Sequence, residues 1–235
     1  QGQDVCSVVQ VYSGAFSQFR FALIGAEPND FFGYGLSSAG DVNGDGVEDI
    51  VIGAPRNNAG GADAGAIYVF SGVDGSLLYT VNGLAGQFFG TAVAGVGDIN
   101  CDSVPDLLVT GFDTSDLFSV TGIVWALSGD DGSPIRLFVP DRPDESFGHS
   151  LLGLGDLSGN GFDDVMIVAP YAKNPDGIEG KAYIFEGAAS GPAAETVYSG
   201  SATSLISSSD PDVAVFGHIV TLGKDIDGDG KREII

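Results

Sequence analysis

The chain has 235 residues, 43% of them hydrophobic and only 17% charged, with 37 glycines. That is too apolar for a disordered chain and long enough to bury a core. The formal net charge of −23 argues against nucleic acid as a partner.

Two cysteines, Cys6 and Cys101, make no disulfide framework and read as free or structural thiols. No apolar run has the length of a membrane-spanning helix, so no membrane insertion is expected. The chain begins at Gln1 and has Met166 as its only methionine. It is therefore expected to be a processed product or an excised piece, with any signal peptide already removed.

The first apolar run, Val8-Val-Gln-Val-Tyr-Ser-Gly14, matches Ala66-Ile-Tyr-Val-Phe-Ser-Gly72 further on. The chain thus opens on what is elsewhere the third strand of a repeating unit, with Arg20–Ile24 as the fourth. Phe32-Gly33 then leads into Gly35–Gly40, a strand of small residues suited to a crowded axis. Asp41–Asp49 follows. It places oxygen side chains at loop positions 1, 3, 5 and 9 (Asp41, Asn43, Asp45, Asp49), with Gly46 at the turn and the Val47 carbonyl at position 7. A short loop of hard oxygen donors suits Ca²⁺. The apolar run Ile50–Ile52 gives a second strand, Ile67–Phe70 a third and Leu77–Val81 a fourth.

The same series returns. Phe89-Gly90 precedes a loop with Asp98, Asn100, Asp102 and Asp106, and Val104 as carbonyl donor. Phe147-Gly148 precedes Asp156, Ser158, Asn160 and Asp164, with Phe162. Phe216-Gly217 precedes Asp225, Asp227, Asp229 and Glu233, with Lys231. Later strands fall at Asp106–Val109, Val124–Leu127 and Ile135–Val139, then Asp164–Ile167, Ala182–Phe185 and Thr196–Tyr198, with Glu233–Ile235 last. An EF-hand is excluded, because its pattern needs Glu at position 12 and here Ile52, Val109 and Ile167 stand there. The four loops hold twelve candidate ligand carboxylates. Four bound Ca²⁺ ions, one per unit, would bring the net charge to about −15.

Four strands per unit, repeated radially, make a β-propeller blade. The expected fold is all-β: a single propeller domain over residues 1–235 with about four blades of four antiparallel strands. Its parts are a half-blade at 1–25, blades at about 26–83, 84–141 and 142–202, and a half-blade at about 203–235. Pairing the terminal halves, with Glu233–Ile235 antiparallel beside Val8–Tyr12, would close the ring and cover open edges.

The Phe-Gly pair, the Asp-rich loop and Gly53-Ala54-Pro55 after it resemble FG-GAP repeats, over nearly the whole chain. Such repeats build the β-propeller of integrin α subunits and of many bacterial surface and secreted proteins. The resemblance implies Ca²⁺ on the loop face and partner binding on the opposite, upper face. The chain departs from the pattern in places. Thr110-Gly111-Phe112 and Val168-Ala169-Pro170 replace Gly-Ala-Pro, Ser103 replaces the turn glycine in loop two, and loop three has Ser158 and Asn160. Integrin-type propellers have seven blades, whereas this chain encodes about four.

His149 and His218 follow Phe-Gly directly, at positions held by Tyr34 and Thr91 in the other copies, and read as structural. No catalytic constellation is evident, and Trp125, aligned with Tyr68 and Tyr183, reads as packing between blades. An insertion falls at Ser199–Val215, as a binding loop or a polar spacer. The expected function is a non-enzymatic, monomeric, calcium-binding adhesion module for a protein or glycan ligand. It would be extracellular or at the cell surface, or periplasmic. The alternatives are a glycan-binding lectin and a non-catalytic domain of a secreted hydrolase.

Overall fold

The structure is a computed structural model that describes residues 6–14, 17–112, 122–140, 146–173, 179–188, 196–198 and 204–206. The fold is an all-β propeller. The first half-blade is a hairpin of β1 (Val8–Tyr12) and β2 (Phe19–Ile24). Blade one is β3 (Gly35–Gly40), β4 (Asp49–Ala54), β5 (Ala66–Phe70) and β6 (Leu77–Asn82), each antiparallel to the next. Blade two repeats this with β7 (Ala92–Gly97), β8 (Asp106–Phe112), β9 (Gly122–Leu127) and β10 (Pro134–Phe138). Blade three begins with β11 (Ser150–Gly155), β12 (Asp164–Lys173) and β13 (Glu179–Phe185).

The third blade corrects one expectation. Thr196–Tyr198 is a strand, β14, but it adds parallel to β10 at the outer edge of blade two. The fourth strand of blade three is β15, Ser204–Ile206, antiparallel to β13 and inside the stretch read as an insertion. A Thr-Val-Tyr run specifies a strand, but not the edge it joins. Which edge is open and within reach of the chain settles that.

Period-2 alternation sends successive side chains of one strand into two different cores. From β4 and β5, Ile52, Tyr68 and Phe70 pack with Leu23 of the half-blade. Their neighbours Val51, Ile67 and Val69 pack the other way, with Leu107, Val109 and Leu127 of blade two. Leu108 and Val124 continue the pattern against Val165, Ile167 and Tyr183 of blade three. The cores therefore lie between blades, and the second strands β4, β8 and β12 are buried on both faces. Trp125 packs into the core between blades one and two, as its alignment predicts. The inner strands β3, β7 and β11 stand side by side. A Cβ on Gly153 would lie 2.6 Å from the Val96 Cα, which is why the axis is built from small residues.

Each Phe-Gly pair has two tasks. Its phenylalanine packs edge-on against the third-strand aromatic: Phe32 on Tyr68, Phe89 on Trp125 and Phe147 on Tyr183, with centroids 5.5, 5.3 and 5.4 Å apart. Its glycine sits at φ of 90, 92 and 83° and donates its N–H to a second-strand carbonyl, of Gly53, Thr110 and Val168. A side chain at that φ would be strained.

Ring closure through residues 217–235 lies outside the described residues. If it holds, removing residues 1–14 uncovers a strand edge, and size-exclusion chromatography should show association. A truncated monomer with an unchanged melting curve would count against closure. Replacing Phe89, 3% exposed, with alanine should cost about 3–5 kcal/mol by urea melting. Leu84→Ala, at a side chain 67% exposed, should stay within about 0.5 kcal/mol.

Candidate metal centres

Three of the four Asp-rich loops fall within the described residues, each between the first and second strands of a blade. The entry is the same in all three. A β-bulge breaks the register just ahead of the loop, at Ser38/Gly40, Gly95/Gly97 and Gly153/Gly155. Gly40, Gly97 and Gly155 turn the chain there with φ of 78, 78 and 72°.

Position 1 organises the loop. Asp41 accepts the N–H of Asp45 on Oδ1 at 2.9 Å and that of Gly46 on Oδ2 at 2.8 Å. Asp98 does the same with Asp102 and Ser103, and Asp156 with Asn160 and Gly161. Asn43 and Asn100, at position 3, accept a second contact from the position-5 N–H, both at 2.9 Å. Position 5 in turn accepts from position 7: Val47 onto Asp45, Val104 onto Asp102 and Phe162 onto Asn160.

Position 9 is different. Asp49, Asp106 and Asp164 are buried, each no more than 1% exposed. Asp49 accepts the Val42 N–H and the Gly72 N–H, both at 3.0 Å. Asp106 accepts from Ile99 at 3.0 Å and Gly129 at 3.3 Å. Asp164 accepts from Gly187 at 2.9 Å, but from Ser158 at 2.8 Å instead of a position-2 N–H. The Ser158 hydroxyl also leans onto Asp164, at 3.5 Å. Loop three therefore differs in geometry where it differs in sequence. Gly72, Gly129 and Gly187 belong to the site although the Asp and Asn spacing does not mark them. Their signal is a glycine at a fixed distance after each aromatic third strand.

Burial pushes the Asp106 carboxyl up to about 7, with the charges of Asp102 and Asp98 adding to it and the Ile99 and Gly129 N–H groups opposing. Burial likewise raises Asp49, against N–H groups of Gly72, Val42 and Asn43. Beside Asp106, Tyr79 is held well above the usual phenol range by burial and by the Asp131, Asp106 and Asp130 charges, while its hydroxyl donates to the Gly129 carbonyl at 2.8 Å.

Among the described residues, no three carboxylate, imidazole or thiol side chains stand ready around one metal position. The loop carboxylates are turned onto backbone N–H groups instead. The donor set still fits a hard cation. Loops one and two each offer three carboxylates, an amide oxygen and a carbonyl within nine residues, and loops one to three contain no Lys or Arg. A carboxylate oxygen that accepts one N–H keeps a further lone pair. Loop three offers two carboxylates at its ligand positions, Asp156 and Asp164. Asp225, Asp227, Asp229, Lys231 and Glu233 lie outside the described residues. Cys6 and Cys101 are both free thiols, in accord with expectation.

At the opposite ends of the inner strands, the residues that follow Phe-Gly converge. Tyr34, Thr91 and His149 share a pocket of about 170 Å³ with Thr110, Phe112 and Ser146. His149 is exposed and lines this pocket. His218 lies outside the described residues. The residues before Phe-Gly, namely Phe31, Phe88 and Ser146, take left-handed φ of 57, 48 and 50°.

The FG-GAP repeat model matches residues 32–70, which hold the first Phe-Gly pair, loop one and strands β3 to β5. The chain therefore contains an FG-GAP repeat. Among curated relatives of this FG-GAP chain, integrin alpha-PS5 of Drosophila melanogaster is 35% identical over 63% of the chain and 16% of that protein. Integrin alpha-6 of Homo sapiens is 36% identical over 58% of the chain and 12% of that protein. Integrin alpha-PS2 of Drosophila melanogaster is 31% identical over 86% of the chain and 15% of that protein. The FG-GAP chain thus spans less than a fifth of these relatives. Among solved structures, a rhamnogalacturonan lyase of Bacillus licheniformis superposes with TM-score 0.50 at 16% identity, covering 84% of the chain and 38% of the lyase. The exotype rhamnogalacturonan lyase YesX gives the same score and identity, covering 84% and 37%. At that identity the likeness concerns the fold alone. Among the described residues no helix is long and apolar enough to cross a membrane.

The raised Asp106 carboxyl sets the pH dependence without metal. Its folded value of about 7 lies above the unfolded value, roughly 3.9, so between them the folded state holds the extra proton. Its contribution is full below the unfolded value and is lost as pH rises toward 7. In EDTA, melting temperature should therefore fall from pH 4.5 to 7.5, and fall less in Asp106→Asn. Equal slopes in the two proteins would remove Asp106 as the cause.

Proposed function

We propose that this FG-GAP chain is a calcium-dependent adhesion module, extracellular or at the cell surface, that binds a protein ligand and catalyses no reaction. The observation that carries the reading is the threefold return of one oxygen-lined loop at one place in each blade. Similarity to integrin α subunits supports it, and the lyase likeness, at 16% identity, brings no activity with it.

The ion would be held by Asp41, Asn43, Asp45, Asp49 and the Val47 carbonyl in loop one. The sets Asp98, Asn100, Asp102, Asp106, Val104 and Asp156, Ser158, Asn160, Asp164, Phe162 would serve loops two and three. Asp225, Asp227, Asp229, Glu233 and Lys231 would form a fourth site. Bound Ca²⁺ would neutralise these carboxylates and tie the first strand of each blade to the second. Loop three, with two carboxylates, would be the weakest of the three described sites. The ligand would dock on the opposite face, where Tyr34, Thr91 and His149 meet. There the rigid scaffold presents aromatic, hydroxyl and imidazole groups together.

A ligand that binds only the folded state stabilises it by mass action. EDTA should lower the melting temperature, on the order of 10 °C, and Ca²⁺ should restore it. Metal analysis should find calcium. An unchanged melt, or zinc in place of calcium, would overturn the reading.

A further inference from the structure

Position 8 of the loop lies outside the ligand pattern, and its chemistry differs in the three described copies: Glu48, Pro105 and Asp163. In loop three it leaves its own blade. The Asp163 Oδ2 accepts the N–H of Asp98, the first residue of loop two, at 2.9 Å. The Asp163 N–H donates to the Asp98 carbonyl at 3.1 Å. Gly97, just before, has φ 78°, and a side chain there would run into the Asp163 carboxylate. The Cys101 thiol of loop two adds a weak contact to the Gly161 carbonyl of loop three, at 3.6 Å.

The other two described copies make no such pair. Pro105 of loop two meets blade one at the equivalent place, 2.6 Å from where a Cβ on Gly40 would stand. It touches by its ring alone, having no N–H to donate and no carboxylate to accept. Glu48 accepts from the Ser38 hydroxyl in its own blade, at 2.8 Å.

We propose that Asp163 is a positioning residue for loop two, so that the calcium affinity of loop two depends on loop three and not on loop one. This rests on the reading of the loops as calcium sites. Asp98 is the residue whose carboxylate gathers the N–H groups of Asp102 and Ser103. A reciprocal, charge-assisted pair on its backbone fixes where that carboxylate starts from. A site held in its binding geometry beforehand loses less on binding. Coupling is reciprocal, so an ion in loop two also favours the ordered form of loop three.

The amides of Gly46, Ser103 and Gly161 donate to Asp41, Asp98 and Asp156, and so report the three loops separately in a ¹⁵N NMR titration with CaCl₂. In Asp163→Ala the Ser103 midpoint should rise about tenfold, the worth of one hydrogen bond to a charged group, while the Gly46 midpoint stays put. Asp163→Asn keeps an acceptor oxygen without the charge and should fall between wild type and alanine. Asp163→Leu, of similar size but with no acceptor oxygen, should reproduce the alanine effect and serves in its place if Asp163→Ala does not fold. An unmoved Ser103 midpoint in a wild-type-like titration overturns the positioning role. So does an asparagine variant as weak as alanine, which would make the effect one of charge. If no loop amide of the wild-type protein responds to Ca²⁺, the calcium reading itself fails, and that curve is read independently of any variant.

Discussion

The buried carboxylate at loop position 9 is the constraint on which the rest of each blade depends. Asp49, Asp106 and Asp164 are carboxyl side chains at buried positions, and each joins the loop to the turn after the third strand through two backbone N–H groups. Taking a carboxylate out of water is costly unless hydrogen bonds replace the water. The raised pKa of Asp106 shows that two N–H groups leave part of that cost in place. A lone backbone turn could not hold such a group. The bulge, the loop and the neighbouring turn therefore come as one unit, and the unit recurs.

The other end of each blade is pinned by apolar contact. The Phe-Gly phenylalanine seats against the third strand, and its glycine N–H is taken by the second. Between these two ends the second strand is buried on both sides, and in β4 and β8 each face belongs to a different interface between blades. The molecule therefore offers an acidic end made of loops and an opposite end where aromatic and polar side chains meet over a pocket. The exposed residues of both ends are free to vary around these pinned positions.

Variation is visible in loop two. Cys101 and Ser103 occupy positions where loop one has Gly44 and Gly46 and loop three has Gly159 and Gly161. Their φ values of 63 and 73° keep the same left-handed backbone. Holding two non-glycine residues there costs on the order of 1–2 kcal/mol each. The hydrogen bonds onto Asp98 and Asp102 hold the backbone in place despite the strain. Loop three keeps its glycines and loses one ligand carboxylate instead, Asn160 standing where the others have Asp, and the Asp164 pairing shifts to Ser158. One backbone path thus survives two different kinds of substitution.

What the sequence determined by itself was everything local and repeated. Fixed intervals between Phe-Gly and the first aspartate forced a common backbone. β-branched and aromatic runs marked the strands, and the spacing of Asp and Asn marked the loops. Those signals arise within a dozen residues of one another, so they survive without the fold. Partners distant in sequence were left to the tertiary structure. Nothing local joins Gly72 to Asp49, Asp163 to Asp98, or Tyr34 to Thr91 and His149, since each pairing arises where separate blades or turns come together. Thr196–Tyr198 shows the same limit: its strand character is local, but its place beside β10 depends on which edge stands open, and an open edge belongs to the assembled sheet rather than to any segment of chain.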